Sequence, residues 1–314
     1  MSQILKKLPL PITGLMLGFA ALGNLVQSYS NGLRNVFGLI SGIILILVLA
    51  KIIMYPKGVK EALENPVVAS VFPTLSMTIM LLATYLKPFI GSAAFAVWVI
   101  GVGLHVILMI WFTVKFVAKW NIKKVFASWF IVYVGIVVAS VTAPAFEMQA
   151  IGQLAFWVGF VSYFVLIPIV AKRIFVVKEI PEPAFASIAI SAAPGSLLLA
   201  GYINSFPEKN MFIVWLLLIL SQVIFLGVLL YTPKLINTKF YPSFSSFTFP
   251  FVISGIGLKL TNGFLTKAGT PIPILGTLVK LEELIALVLC FYVLIKYVNF
   301  LLAKEAPAPT NKPA

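Results

Sequence analysis

The segment SSFTFPF, residues 245–251, places three phenylalanine rings around Pro250 in the middle of an apolar run. Proline inside an α-helix removes one backbone hydrogen bond and clashes with the preceding turn, at a cost of about 3 kcal/mol or more. In a bilayer the freed carbonyl needs a partner in the protein or in water. The segment therefore predicts a membrane helix that is interrupted at Pro250, with bulky rings at the interruption.

The composition of the whole chain indicates a membrane protein. Of its 314 residues, 61% are hydrophobic and 10% are charged, and the mean hydropathy is +1.07. Soluble domains are about 45–50% apolar and about 25% charged. Apolar runs of about 20 residues recur along the chain, as membrane helices require. The alternating segments of about 10 residues that are typical of membrane β-barrels do not occur. We therefore expect an all-α polytopic membrane protein.

Several other classes of function find no support in the sequence. The net charge of +14 comes from basic residues that flank apolar spans, so it does not indicate nucleic-acid binding. A single cysteine, Cys290, excludes an intrachain disulfide, and with one histidine it supplies no set of metal ligands. We predict that the chain is not an enzyme and that it uses no metal or cofactor.

Polar, glycine and proline breaks divide the chain into ten predicted spans. They cover residues 9–29, 33–54, 66–86, 88–117, 128–148, 150–174, 183–203, 210–231, 243–264 and 272–302. The first is predicted to be a retained span, because its apolar run continues past Gly23 without a clear signal-peptide cleavage site. Residues 1–303 are expected to form one transmembrane domain. The proline-rich, polar residues 304–314 are expected to form a disordered cytoplasmic tail.

Basic residues divide unequally between the two sides of these spans. If both termini share a side, that side has 17 of the 23 lysines and arginines and the other side has six. The six are Arg34, Lys87, Lys209, Lys259, Lys267 and Lys280. The positive-inside rule then predicts that both termini are cytoplasmic, in the cell inner (plasma) membrane.

Proline occurs in every odd-numbered span. The residues are Pro9, Pro11, Pro73, Pro144, Pro194 and Pro250. Among the even spans, Pro168 is interior, whereas Pro88 is expected only to open the fourth span. Any single proline is also consistent with a packing feature, because membrane helices generally contain more proline. Nearby hydroxyl groups are expected to bind the freed carbonyls; they belong to Thr13, Thr74, Ser76, Thr142, Ser191, Ser196, Ser246 and Thr248.

The odd and even spans also differ in composition. Odd spans are enriched in Gly, Ala, Ser and Thr, which allow close helix approach or line a cavity. Even spans such as GLISGIILILVLAKIIM, residues 38–54, are rich in large aliphatic side chains suited to lipid. The pattern predicts five helical hairpins with quasi-fivefold symmetry. In each hairpin an inner kinked helix precedes an outer one, and the odd helices line a central pore.

Two motifs resemble the tellurite-resistance/dicarboxylate transporter family. They are LPLPITGLMLGFAALGNL, residues 8–25, and FTFPFVISGIGLKLTN, residues 247–262. The family includes bacterial tellurite-resistance permeases, fungal malate permeases and the slow-type anion channels of plant guard cells. The resemblance covers nearly the whole chain, because the length, the ten spans and the proline in each odd span all agree with the family. One departure is that GLMLGFAALG, residues 14–23, is shorter than the family's first-helix spacing.

The resemblance implies a homotrimer in which each protomer has its own pore. It also implies that a phenylalanine of the ninth helix, directly before the proline, blocks the pore at mid-membrane. That residue is Phe249 here. Small residues of the first helix, Gly14 and Gly18, are expected near this gate. Further residues are expected to line the pore or its kinks: Pro73, Pro144, Pro194, Pro250, Thr74 and Ser246.

The spacing of the three rings supports a single blocking residue. Residues two apart lie about 200° apart around a helix, so Phe247, Phe249 and Phe251 cannot all face one side. A ring at position 249 would form a hydrophobic constriction that excludes water and ions. The alternative is that Phe249 packs between helices, as most membrane phenylalanines do.

The predicted function is membrane transport of small anions, most simply as passive, channel-like flux. The alternative is a proton-coupled secondary carrier for C4-dicarboxylates or tellurite, which normally needs an ionisable group within the membrane. We expect no carboxylate at mid-depth on an inner helix. Glu282 and Glu283 are expected near the outer end of span ten, where Lys280 and Glu283 are spaced to pair. His105 is expected to have a structural role or to form a hydrogen bond between helices, and a proton relay is the alternative.

Anion preference has a physical basis in the distribution of charge. Lys259 lies 10 residues beyond Phe249, about 15 Å along a helix, and is expected to attract anions at the outer mouth. Chloride, nitrate, tellurite and small dicarboxylates are all consistent with the sequence. The expected partners are therefore small anions and the lipid bilayer.

Overall fold

Ten helical segments, here α1 to α10, are present in the computed structural model, which describes residues 2–303. They are α1 (Ile12–Val26), α2 (Asn31–Met54), α3 (Pro66–Ile90), α4 (Ala93–Val117), α5 (Trp129–Phe146), α6 (Gln149–Val177), α7 (Glu182–Ser205), α8 (Met211–Ile236), α9 (Pro242–Lys267) and α10 (Pro273–Leu302). Short helices cover Ser2–Lys7 and Pro56–Ala62. Within the described residues no strand occurs. The tail predicted at 304–314 lies outside them.

Nine of these segments are long and apolar enough to cross a membrane, and α1 is shorter, with 15 residues. A turn precedes α1, in which the amides of Ile12, Thr13 and Gly14 bond to carbonyls three residues earlier. The short helix Ser2–Lys7 comes before this turn. The chain is therefore an all-α polytopic membrane protein, as predicted.

The odd segments form a closed inner ring. Contacts join α1 to α3, α3 to α5, α5 to α7, α7 to α9, and α9 back to α1. Each even segment packs against the odd segment before it and the odd segment after it. In the apolar windows of α3, α5, α7 and α9, 72% to 89% of residues are buried, against 22% to 33% in the even segments. The five predicted hairpins, with odd helices inside, are thus confirmed.

Both ends of the described chain lie at the same end of the bundle. Lys7 Nζ donates a hydrogen bond of 2.8 Å to the carbonyl of Ala303. Lys51, at the end of α2, donates to the carbonyls of Leu5 and Lys6. We call this end of the bundle the terminal end and the opposite one the far end. An even number of crossings follows from this arrangement.

The boundary between α3 and α4 differs from the prediction. The third span continues to Ile90, so Pro88 lies inside the last turn of α3 and does not open α4. The helix ends at Gly91, whose φ of 58° is a conformation that glycine adopts without a steric penalty. Hydropathy does not change across Pro88, so the sequence pattern placed the break at the proline instead of the glycine.

Four prolines of the odd segments lie at the start of a helix. Pro11 and Pro73 are the N-cap residues of their helices. Pro194 and Pro250 lie in the first turn of helices that start at Ala193 and Phe249. The first amide groups of a helix have no intrahelical acceptor, so proline at these positions removes no hydrogen bond. The predicted cost of an interior proline is therefore not incurred at Pro250.

Tighter 3₁₀ turns precede two of these helices and interrupt a third segment. They cover Ala186–Ala192 in α7, Pro242–Phe247 in α9 and Gly135–Val137 in α5. Pro144 instead lies in a second 3₁₀ turn, Ala143–Phe146, at the far end of α5. The inner segments thus change helix type near their middle in α5, α7 and α9.

Most of the predicted hydroxyl partners bind nearby carbonyls. The bonds run from Thr13 to Leu10, Thr74 to Val71, Ser76 to Pro73, Thr142 to Val138 and Thr248 to Ser245, at 2.7–2.9 Å. Ser191, Ser196 and Ser246 differ, because their buried hydroxyls have no partner within residues 2–303. Three buried hydroxyls near the interruptions therefore lack a hydrogen-bond partner within the described residues.

Candidate functional site

Two cavities follow one another inside the ring, and all five odd segments line both. The narrow cavity, towards the terminal end, has a volume of about 30 Å³. The far-end vestibule has a volume of about 470 Å³. The polar residues of the vestibule are Asn24, Gln27, Arg34, Thr84, Thr142 and Asn204. A discontinuous passage thus runs through the middle of the bundle.

Phe249 and Leu197 line both cavities and therefore stand between them. Phe249 is the first residue of its helix, and its side chain is buried. Phe247 and Phe251 line neither cavity. The ring of Phe247 packs 5.3 Å from that of Phe244, and the ring of Phe251 packs 5.7 Å from that of Phe225 in α8. Of the three rings in the quoted segment, one borders the passage.

The narrow cavity is too small for a hydrated ion. Its 30 Å³ has room for about two water molecules. Apolar side chains including Val71, Met77 and Phe130 make up most of its wall. Ser246 also lines it, and the buried hydroxyl of this residue has no protein partner in the part of the chain described. This stretch is therefore nearly dry, with one free polar atom.

The first helix packs against the residues before Phe249 with no spare room. A Cβ atom on Gly18 would lie 2.6 Å from Thr248 Cβ and 3.2 Å from the amide nitrogen of Phe249. A Cβ on Gly14 would lie 3.0 Å from Ser245. Thr248 also donates to the carbonyl of Gly14 at 3.0 Å. Glycine in α1 thus fixes the backbone that carries the Phe249 ring.

The other predicted lining residues divide into two groups. Gly14, Thr74, Pro194, Ser246 and Pro250 line the narrow cavity. Pro73, Pro144 and Gly18 are not among the residues that line either cavity. Gly18 borders the site through its close approach to the Thr248 side chain and the Phe249 amide nitrogen, whereas Pro144 lies at the far end of α5.

Lys259 lies beside the passage in an ion pair. Its Nζ is 2.5 Å from Glu283 Oε1 and also donates to the carbonyl of Leu25 and the hydroxyl of Ser28. Glu283 additionally accepts a 2.6 Å bond from the hydroxyl of Tyr29, which raises the pKa of this phenol above its usual range. The predicted pairing of Glu283 with Lys280 does not form, because Lys280 is exposed on the outer surface of α10.

The sequence comparison identifies the family. The SLAC1 family, described as voltage-dependent anion channel, matches residues 8–298. The chain belongs to this family. It is the same family that includes the tellurite-resistance permeases and the plant slow-type channels. No curated protein matches the chain. SLAC1 membership makes this a multi-pass membrane protein of an anion-transport family and not of an enzyme family.

Arg34 lines the vestibule, and the sequence reasoning missed it. It belongs to the outer segment α2, yet its side chain reaches the vestibule between α1 and α3. Leu197 was also missed, because nothing in its local sequence distinguishes it from other leucines of α7. The only sequence signal for Arg34 was its place among the few basic residues of the far end.

Glu282 is a second residue whose surroundings the sequence did not predict. It lies on α10, nine residues after Pro273. Its side chain is buried, with Ser254 and Gln222 as polar neighbours, and its Oε2 has no partner within the described chain. The residue is on an outer helix, but it faces the back of α9.

His105 takes the interhelical position predicted for it. Its Nδ1 lies 2.9 Å from the hydroxyl of Ser76 in α3, and its Nε2 lies 3.1 Å from the carbonyl of Val132 in α5. The ring is fully buried and lines neither cavity. Its contacts join three segments, which is a structural role.

Proposed function

We propose that this SLAC1-family protein conducts small anions passively through the middle of its five-helix ring, with Phe249 as the gate. The observation that carries the proposal is that Phe249 borders both the vestibule and the narrow cavity. A constriction with an apolar wall excludes water and therefore ions. The present arrangement is then the closed state.

The direction in which the gate opens follows from the packing around it. Glycine contacts leave no room on the α1 side of residue 249. The vestibule has about 470 Å³ of space on the other side. We propose that the ring rotates towards the vestibule, which would join the two cavities. The free hydroxyl of Ser246 would then replace part of the hydration shell of a passing anion.

Selectivity for anions is supported by the charges along the passage. Of the residues that line the two cavities in the described chain, Arg34 is the one charged side chain, and no carboxylate is among them. A passage with positive potential and no fixed negative charge concentrates anions and disfavours cations. Backbone and hydroxyl groups at the 3₁₀ turns can solvate an anion without binding it tightly.

Orientation and assembly are part of the same proposal. The unequal split of basic residues supports cytoplasmic termini in the inner (plasma) membrane, with the vestibule facing outward. The family resemblance supports a homotrimer with one passage in each protomer. Reporter fusions at each terminus and the mass of the purified protein in detergent test the two points separately.

Lys259 is proposed to contribute to the positive potential at the outer mouth. Its charge is largely balanced by Glu283, so we expect Lys259→Gln to lower the anion-to-cation permeability ratio by about twofold, a small effect as for a paired charge. The single substitution also leaves Glu283 buried without its cation, which destabilises the protein. The measurement is the reversal potential across a planar bilayer with a salt gradient.

The double variant Lys259→Gln/Glu283→Gln separates charge from folding. If Lys259 attracts anions, the double variant has the reduced selectivity of the single one but regains stability. Unchanged permeability ratios and currents in both variants would remove Lys259 from the mechanism.

Glu282 supports a second candidate, a proton-coupled carrier for C4-dicarboxylates or tellurite. A buried carboxyl group within a membrane protein is costly, and proton-coupled carriers use such groups. Glu282 contacts the back of α9, whose α-helical part, Phe249–Lys267, begins with Phe249. Protonation there could be coupled to movement of the gate helix.

A proton gradient discriminates between the two candidates. For the channel, we expect the reversal potential of the parent protein to follow the anion gradient alone and to be unaffected by a pH gradient. Glu282→Gln should then behave like the parent. A pH-dependent reversal potential that Glu282→Gln abolishes, and that the exposed control Glu147→Gln keeps, would establish the carrier instead.

A further inference from the structure

We propose that Arg34 forms an oxyanion-binding site in the far-end vestibule and that it recognises a small planar oxyanion, such as nitrate or a carboxylate, before the anion reaches Phe249. The inference deepens the proposed function, because the site lies on the same passage. It assigns a residue and a class of ligand to the vestibule.

The guanidinium group of Arg34 is held from three directions. Its Nε donates to Asn24 Oδ1 of α1 at 3.0 Å, and its Nη2 donates to Thr84 Oγ1 of α3 at 3.3 Å. Its Cζ lies 3.9 Å from the centroid of the Tyr85 ring. Tyr85 is fixed in turn, because its hydroxyl donates to the carbonyl of Ala20 at 2.6 Å. A side chain held in this way loses little further freedom when a ligand binds.

Two glycines leave the space that the side chain of Tyr85 and the backbone of Arg34 occupy. A Cβ on Gly38 would lie 2.5 Å from the ring of Tyr85, and one on Gly23 would lie 2.8 Å from the carbonyl oxygen of Arg34. The close approach of α1, α2 and α3 at this point therefore depends on both residues. The position of the guanidinium is built into three helices and is not that of a loose surface arginine.

The hydrogen bonds leave one edge of the guanidinium unoccupied. Asn24 and Thr84 use the edge formed by Nε and Nη2. Nη1 and the second N–H of Nη2 have no protein acceptor among residues 2–303. These groups form the fork that binds two oxygens of one planar oxyanion. A spherical halide cannot use both arms in the same way, so the geometry favours oxyanions.

The charge of Arg34 is also uncompensated by the protein. The ion pairs in the described part of the chain join Lys115 to Glu64, Lys123 to Glu179, and Lys259 to Glu283. None includes Arg34, and the vestibule wall around it contains neutral amides and hydroxyls. A lone positive charge in a concave, largely apolar wall attracts anions more strongly than the paired Lys259 does.

The vestibule has the size of a small-molecule site. Its volume of about 470 Å³ falls within the range of about 300–1,000 Å³ that is usual for ligand pockets. An anion of a few heavy atoms fits with several water molecules. Asn204 of α7 donates one amide N–H to the carbonyl of Val141, and its second N–H is available to the ligand or its water.

The test compares Arg34→Gln and Arg34→Lys on the Phe249→Ala background, with nitrate, formate and chloride as probes. We expect Arg34→Gln to raise the half-saturating concentration for nitrate and formate currents by about tenfold, and that for chloride by about threefold or less. Arg34→Lys should restore the half-saturating concentration for chloride but not those for nitrate and formate. Lysine keeps the positive charge but lacks the two parallel N–H donors that bind an oxyanion. Lys280→Gln removes an exposed charge at the same end and should change none of these values.

Binding can be measured without transport. At constant ionic strength, nitrate and formate should raise the unfolding temperature of the detergent-purified parent more than chloride does, and Arg34→Gln should abolish that difference. This result would support the site even if the protein carried no current, in which case the proposed channel function alone would fail. Equal effects of Arg34→Gln on all three anions, with rescue by lysine, would overturn oxyanion recognition. No effect in either assay would overturn the site.

Discussion

Replacing Phe249 with alanine is expected to raise anion conductance by about tenfold or more, since removing a barrier of about 1.4 kcal/mol already gives that factor. The ring stands between a cavity of about 30 Å³ and one of about 470 Å³. Without it, the two cavities merge, and Leu197 is the remaining shared wall residue. Currents through purified protein in planar bilayers, with chloride or nitrate on both sides, measure the effect.

The neighbouring rings provide matched controls. Phe247→Ala and Phe251→Ala remove the same atoms from buried rings that line neither cavity. All three substitutions cost stability, by about 3–5 kcal/mol for a buried phenylalanine in soluble proteins. Only Phe249→Ala should raise conductance. Equal currents in parent and Phe249→Ala, or equal increases in all three variants, would show that the ring at position 249 is not the gate.

The architecture was predictable because it depends on patterns that repeat. Proline and small residues recur in the odd spans, and large aliphatic residues recur in the even ones, which is sufficient to separate inner from outer helices. The role of each proline was not predictable at the same level. Whether Pro250 breaks a helix or begins one depends on the 3₁₀ turn Pro242–Phe247, and the same local sequence is compatible with either.

The candidate site was predictable only in part. The spacing of the three rings allowed only one of them to face the passage, and the family resemblance selected Phe249. Arg34 could not be placed, because it reaches the vestibule from an outer helix through contacts with Asn24 and Thr84. Such contacts depend on the relative rotation of three helices, which hydropathy does not encode.

The charges of α10 illustrate the same limit. Glu283 pairs with Lys259 of α9, although Lys280 is nearer in sequence. Adjacent Glu282 is buried beside Ser254 and Gln222. A rotation of α10 by part of a turn would exchange these environments. Residue spacing on one helix cannot fix that rotation, because the packing against α9 determines it.

Gly18→Ala is expected to destabilise the protein and to cause a leak, although the substitution adds a single methyl group. The new Cβ would lie 2.6 Å from Thr248 Cβ and 2.7 Å from Thr248 Oγ1. Thr248 Cβ is fixed by the backbone and does not move when the rotamer changes, and Oγ1 is held by hydrogen bonds to the carbonyls of Gly14 and Ser245. The backbone around Thr248 must therefore shift, and the ring of Phe249 shifts with it.

Overpacking of this kind costs about 1–3 kcal/mol, so the unfolding temperature in detergent should fall by several degrees. The displaced ring should also give a conductance between those of the parent and Phe249→Ala.

Gly42→Ala and Gly103→Ala are the controls, because a Cβ there meets no atom within 4 Å and alanine favours the helix. Gly18→Ala/Thr248→Gly removes the clashing Cβ and should recover part of the lost stability. Gly18→Ala could instead have the same unfolding temperature and the same low conductance as Gly42→Ala. In that case the contact between α1 and Thr248 would not hold the gate, and the position of the Phe249 ring would have to depend on α7 and α9 alone.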